Sequence, residues 1–231
     1  MDILSSMVEF PGGNPVKETM GLLARPKEKG KYPAVIVIHE IWGLVDHIKD
    51  VAGRLARESY VSLAVDLFEG ATVSKLEQGR EMREKFTEEK ILGDLNGAFN
   101  YLKTLGCVDP KRMGSVGFCM GGGLSLLLAC HNRELAAAVV FYGRNPSPID
   151  LVKNVSCPIL GNYAGADQGI TESDIRLLEK TLTKYGKTFD MKIYPGAPHA
   201  FFNDTRESYR PEAAKDAWER TLKFYNKYLK V

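Results

Sequence analysis

The chain has 231 residues, with 31 Lys and Arg against 29 Asp and Glu for a formal net charge of +2. That length suits one α/β domain over residues 1–231 with a sizeable core, and the balanced charge excludes nucleic acid or an anionic membrane as partner. No apolar run is long enough to cross a bilayer. The Met1–Ser6 start carries Asp2 and lacks the pattern of a secretory signal, so a cytoplasmic protein is expected.

Met7–Phe10 and Thr19–Ala24 read as short strands around the Pro11-Gly12-Gly13-Asn14-Pro15 turn, an antiparallel edge. The β-branched run from Pro33 to His39 reads as a strand buried on both faces. Asp46–Glu58 follows as a helix with Ile48, Val51, Leu55 and Ala56 on one face, and Tyr60–Leu67 as a strand. Ser74–Lys85 reads as a solvated helix. Thr87 caps a longer one that carries Ile91, Leu95, Phe99, Leu102 and Leu105 at helical spacing. Met113–Phe118 is a strand, Gly123–Ala129 a buried helix, and Ala136–Phe141 and Pro158–Tyr163 are further strands. Thr171 to Asp174 fits a capping box, with Asp in place of Glu or Gln, and opens a helix with Ile175, Leu178, Leu182 and Tyr185. Phe189–Tyr194 is the last strand. A final helix begins at Pro211, with Ala214, Trp218, Leu222, Tyr225 and Leu229 on one side. Strand and helix alternate from Pro33 onward, which predicts a mostly parallel, doubly wound sheet with helices on both faces.

In such a sheet ligands lie beyond the carboxyl ends of the strands. Cys119 stands at one of those ends, in Gly117-Phe118-Cys119-Met120-Gly121-Gly122. Glycines two residues to either side fit a sharp strand-to-helix turn with a nucleophile at its apex, where the helix dipole favours a thiolate. Asp167 follows the Pro158–Tyr163 strand, His199 follows the last strand, and Glu40 follows the Pro33–His39 strand. The order nucleophile, acid, His is that of triads on the α/β-hydrolase fold. Met120 N–H, just after the nucleophile, is the expected first oxyanion donor and Ile41 N–H the second; a carboxylate at Glu40 beside them would have to move or be neutralised during turnover. The bland alternative for Glu40 is a loop residue exposed to water. His39 is expected to hydrogen-bond in the core, and His47 and His131 to lie on the surface. Ser115 sits inside a strand and has Met113 where a serine elbow wants Gly. Cys107, Cys119, Cys130 and Cys157 include no close-spaced pair, so free thiols are expected and no metal site.

The motifs His-Glu-Ile-Trp-Gly at 39–43, Gly-Phe-Cys-Met-Gly-Gly at 117–122, Phe-Tyr-Gly at 141–143, Gly-Ala-Asp at 165–167 and Pro-His-Ala-Phe at 198–201 resemble the dienelactone hydrolase (carboxymethylenebutenolidase) family over nearly the whole length. The resemblance implies Cys119, Asp167 and His199 as the triad, with Glu40 paired to the thiol at rest and displaced by substrate. It places Tyr142 in the pocket and Trp42 and Phe201 as apolar walls. It further implies hydrolysis of a small lactone or ester without cofactor or metal, by a soluble cytoplasmic enzyme, monomeric or a small homo-oligomer. One departure bears on substrate. The family's namesake members carry Arg four residues after the His to hold a substrate carboxylate; here that residue is Asn203, with Arg206 nearby. A general carboxylesterase or thioesterase therefore stands as the alternative enzyme, and a redox-responsive binding protein using Cys119 as the alternative outside catalysis.

Overall fold

A computed structural model describes residues 1–230. The contacts divide the chain into two compact units, Met1–Met113 and Gly114–Val231.

In the first unit, β1 (Ile3–Phe10), β2 (Thr19–Pro26), β3 (Tyr32–Ile38) and β4 (Val61–Asp66) lie in the order β1-β2-β4-β3. β1 pairs antiparallel with β2 and β2 antiparallel with β4, while β3 and β4 run parallel. Three helices complete the unit: α1 (Asp46–Arg57), α2 (Leu76–Glu84) and α3 (Glu88–Thr104). Val35 to Ile38 are fully buried, as a strand covered on both faces requires. The spaced residues Ile91, Leu95, Phe99 and Leu102 of α3 are buried as well, and Thr87 caps that helix by accepting from Lys90 N–H at 3.2 Å. His47, expected on the surface, is buried instead: it lies one turn from Val51 and two from Leu55, on the buried stripe of α1.

The unit boundary falls within β5 (Val108–Phe118). Beyond it, the second unit contains α4 (Met120–His131), β6 (Ala137–Phe141), a 3-10 helix over Ile149–Asn154, β7 (Ile159–Ala164), α5 (Glu172–Lys184), β8 (Phe189–Tyr194) and α6 (Pro211–Leu229). Its strands run in the order β5-β6-β7-β8, and every neighbouring pair is parallel. Parallel pairing requires crossover connections, which α4, α5 and the intervening segments supply. Thr171 and Asp174 form the expected capping box at the start of α5. Because β5, β6, β7 and β8 all point the same way, the residues that follow their last positions gather at one edge of this unit. Among the described residues, no helix is long and apolar enough to cross a membrane.

Candidate active site

Phe118 ends β5 and Met120 opens α4, leaving Cys119 alone to turn the chain. Its φ is +56° and its ψ −115°, a conformation that L-residues seldom adopt. Hydrogen bonds hold it there. Cys119 N–H donates to Phe141 O at 3.0 Å, and Cys119 O accepts from Gly122 N–H at 3.0 Å and Gly123 N–H at 3.3 Å. The glycines are required by closeness: a Cβ on Gly117 would lie 1.8 Å from Gly121 O, and one on Gly122 2.5 Å from Phe141 O. Met120 is the first residue of α4, so its N–H has no intrahelical acceptor and lies at the positive end of the helix.

Asp167 and His199 reach the same edge from β7 and β8. Their loops are tied together by Gly165 N–H to Tyr194 O at 2.8 Å and Ala166 N–H to Ala197 O at 2.9 Å. One oxygen of Asp167, Oδ1, accepts from the N–H groups of Gly169 (2.8 Å) and Ile170 (3.1 Å). The other, Oδ2, accepts from His199 Nδ1–H at 2.5 Å. His199 also hydrogen-bonds Cys119. With Nδ1 committed to the carboxylate, Nε2 is the ring nitrogen left for the thiol. Acid, base and thiol thus form one chain of contacts.

The electrostatics follow from that chain. Burial of the His199 ring works against its charged form. The hydrogen bonds to Asp167 and Cys119 and the charges of both outweigh it, so the pKa rises to about 10 from an ordinary 6.5. Burial likewise opposes ionisation of Asp167, but the His199 contact and the two loop N–H groups hold its carboxyl below the usual value. A raised histidine pKa has a definite linkage sign: its contribution to stability is full below about 6.5 and is lost as pH climbs through about 10. An NMR titration of the His199 ring checks this. The expected midpoint is near 10; a midpoint near 6.5 contradicts the array.

Strain marks the surroundings. Tyr142 (φ +39°) and Ala200 (φ +62°) join Cys119 as non-glycine residues with positive φ. Such outliers persist only when neighbours hold them, and they concentrate at functional sites. Tyr142 is buried, its N–H donates to Asn162 O at 2.8 Å, and its ring centre lies 5.0 Å from that of His199. Phe201 is fully buried between Tyr142 (5.4 Å) and Tyr194 (4.9 Å), so it props Tyr142 from behind. Ala200 was invisible to sequence reasoning, since nothing about an alanine announces a left-handed backbone.

Asn203 is buried, and its Oδ1 accepts from Thr205 N–H at 3.0 Å and Thr205 Oγ1–H at 2.7 Å. It therefore shapes the turn after His199. Arg206 is exposed and its N–H donates to Asn203 O at 3.1 Å. Ser115 is buried in β5 against Ser125 Oγ at 2.8 Å, which removes it as a nucleophile.

Glu40, Ile41 and Trp42 belong to the first unit and follow β3. Glu40 is fully buried, which excludes the bland alternative of a solvent-exposed loop carboxylate. His39 anchors their loop: Nδ1–H donates to Glu40 O at 2.5 Å and Nε2 accepts from Leu67 N–H at 3.2 Å. Burial of the ring pushes its pKa down, outweighing the Glu40 carbonyl contact and the Asp66 charge, which act in the opposite direction. Gly43, at φ +85°, sits where a Cβ would lie 2.4 Å from Ala71 O, and it closes the loop. Among the described residues, no group of three or more His, Cys, Asp or Glu is placed to hold a metal ion.

A strained residue between a parallel strand and a helix, with an acid and a histidine after the later strands, is the signature of the α/β-hydrolase fold. Within that class the chain belongs to the dienelactone hydrolase family, whose model matches residues 19–229. The chain is 39% identical over 236 residues to a Saccharolobus solfataricus protein named "Putative carboxymethylenebutenolidase", covering 85% of this chain and 90% of that one. A Methylorubrum extorquens protein of the same name is 37% identical over 219 residues, covering 89% of this chain and 75% of the relative. Among solved structures, the "Putative Dienelactone Hydrolase" of Klebsiella pneumoniae superposes with a TM-score of 0.91 at 30% identity, over 99% of this chain and 100% of that one. The chain is accordingly a carboxylic ester hydrolase, and its family implies a small-molecule substrate.

Proposed function

We propose that Cys119, His199 and Asp167 form a catalytic triad that hydrolyses a small lactone or ester through an acyl-thioester, without metal or cofactor, in a single cytoplasmic domain. The observation that carries this reading is the continuous hydrogen-bonded chain from Asp167 through His199 to a thiol held at φ +56°. The Cys119 sulfur attacks the acyl carbon, and the carbonyl electrons move onto oxygen. Met120 N–H serves as the first donor to that oxyanion. As the tetrahedral centre collapses, the carbon–oxygen bond of the ester breaks and His199 gives its proton to the leaving oxygen; in a lactone this opens the ring. His199 then takes a proton from water, hydroxide attacks the thioester, and the thiolate departs. Asp167 holds the ring so that Nδ1 keeps its proton and Nε2 does the transfer. Glu40, Ile41 and Trp42 join this reading through the family likeness.

Asn203 favours an ester or lactone that need not carry a carboxylate. Its side-chain oxygen is occupied by Thr205, and it brings no charge to the position where the namesake enzymes have Arg. Iodoacetamide tests the chemistry directly. Carbamidomethylation of Cys119, located by peptide mapping, is expected to abolish cleavage of p-nitrophenyl acetate, while a chelator leaves the rate unchanged. Undiminished cleavage with Cys119 fully modified would refute the proposal.

A further inference from the structure

At the opposite end of the second unit's sheet, before β7 and β8 begin, lies a cavity of about 430 Å3 lined by Arg133, Lys153, Ser156, Cys157, Lys187 and Thr188 among others. Four segments build it. Arg133 follows α4, Lys153 sits on the 3-10 helix, Ser156 and Cys157 lead into β7, and Lys187 and Thr188 follow α5. β7 has six residues, so at roughly 3.3 Å per residue the cavity stands about 20 Å from the Cys119 edge. Its volume falls in the range of small-ligand pockets.

The charge on its walls is one-sided. Three of the lining residues are cationic and none is acidic. Among the described residues, Arg133, Lys153 and Lys187 make no ion pair. Asp150, on the same 3-10 helix as Lys153, is engaged by Tyr185 Oη at 2.6 Å and Lys184 Nζ at 3.4 Å. Lys187 Nζ donates to Val155 O at 2.7 Å, which fixes that cation at the cavity wall. The carboxyl ends of α4 and α5 bring about half a negative charge each, too little to balance three full positive ones. The Cys157 thiol is pushed up to about 12 by burial and is therefore neutral. Asp150 lies close enough to Lys153 to be held more acidic by it, but Tyr185 and Lys184 share that carboxylate, so the three cations keep an excess of positive charge that a bound anion offsets. The +2 net charge of the whole chain makes this concentration local rather than a general basic surface.

We propose that this cavity binds a small phosphorylated molecule, with the phosphate group between Arg133, Lys153 and Lys187. A tetrahedral, multiply charged group can meet cations arriving from three directions, and the Arg fork suits two of its oxygens at once. Ser156 Oγ–H donates to Arg133 O at 3.1 Å, which ties the Arg133 segment to the approach to β7, and Thr188 completes the lining.

Calorimetry of the full chain with inorganic pyrophosphate tests the site, using wild type, Arg133→Ala/Lys153→Ala and Cys119→Ala. Both substituted cations are exposed, so the double variant should fold normally and hydrolyse ester at the wild-type rate. Wild type is expected to bind at one site. The double variant should bind at least tenfold more weakly, Cys119→Ala should bind like wild type, and citrate should bind more weakly than pyrophosphate. Four results would each overturn the proposal: no saturable binding by wild type, equal affinity in the double variant, loss of binding in Cys119→Ala, or tighter binding of citrate.

Discussion

Cys119→Ala is expected to lower kcat/KM for a small activated ester by about 10⁴-fold or more while leaving the fold intact. The side chain is half-buried at the turn, and alanine keeps the Cβ already accommodated at φ +56°, so the backbone has no new reason to relax. What disappears is the sulfur. The Met120 N–H and the pocket remain and can still favour attack by water, which is why a residual rate above background is expected rather than none. The measurement pairs ester and dienelactone hydrolysis by wild type and variant with thermal midpoints of both. Equal ester hydrolysis would place the nucleophile elsewhere. Loss of activity accompanied by a large fall in midpoint would mean that unfolding, not missing chemistry, caused the loss.

Gly117→Ala carries the second large effect, and here stability falls as well as activity. The new Cβ would lie 1.8 Å from Gly121 O, 2.2 Å from Gly121 C and 2.8 Å from Gly122 N. These are backbone atoms in the first turn of α4, so no rotamer change can clear them. Relief requires the helix start to move from the end of β5, and a displacement of about 1 Å at a reacting atom can alone cost about 10²-fold in rate. A destabilisation of about 4 kcal/mol or more is expected in urea titration, or failure to accumulate soluble protein. Gly106→Ala is the control, because its Cβ would meet nothing within 4 Å. Similar losses in both variants would contradict the steric account.

The elbow was readable because its demands are local. An apolar β-prone run, a cysteine and glycines at fixed offsets leave few other backbones, and the structure has β5, Cys119 and α4 in that order. The capping box at Thr171 was readable for the same reason, since both of its hydrogen bonds span three residues. Elements set by distant pairing were harder to see. β1 extends back to Ile3 because its register against β2 runs from Phe10 opposite Thr19 to Ile3 opposite Pro26. Ser5 and Ser6 are exposed and give no apolar alternation to mark that extension. β5 likewise begins at Val108, through the polar stretch Asp109-Pro110-Lys111-Arg112, five residues ahead of the apolar run.

Side-chain duties at the site divide the same way. The positions of Asp167 and His199 past their strands were visible in the sequence, and the structure brings the two side chains to 2.5 Å. The part played by Asn203, which binds Thr205 and shapes a turn, depends on how the loop closes. Phe201 could be named as an apolar wall, but its place behind Tyr142 comes from the folded loop. His47 is polar by type, yet it shares a helical face with Val51 and Leu55, and that face is buried.

The central claim is that Cys119 carries the acyl group, and rapid acid quench of wild-type turnover of a slowly hydrolysed activated ester tests it most directly. Mass spectrometry of the digested protein is predicted to show the acyl mass on the peptide containing Cys119, appearing within the first turnover and decaying as product accumulates. An acyl mass on a different residue, or turnover with no adduct on the Cys119 peptide at any quench time, would contradict it.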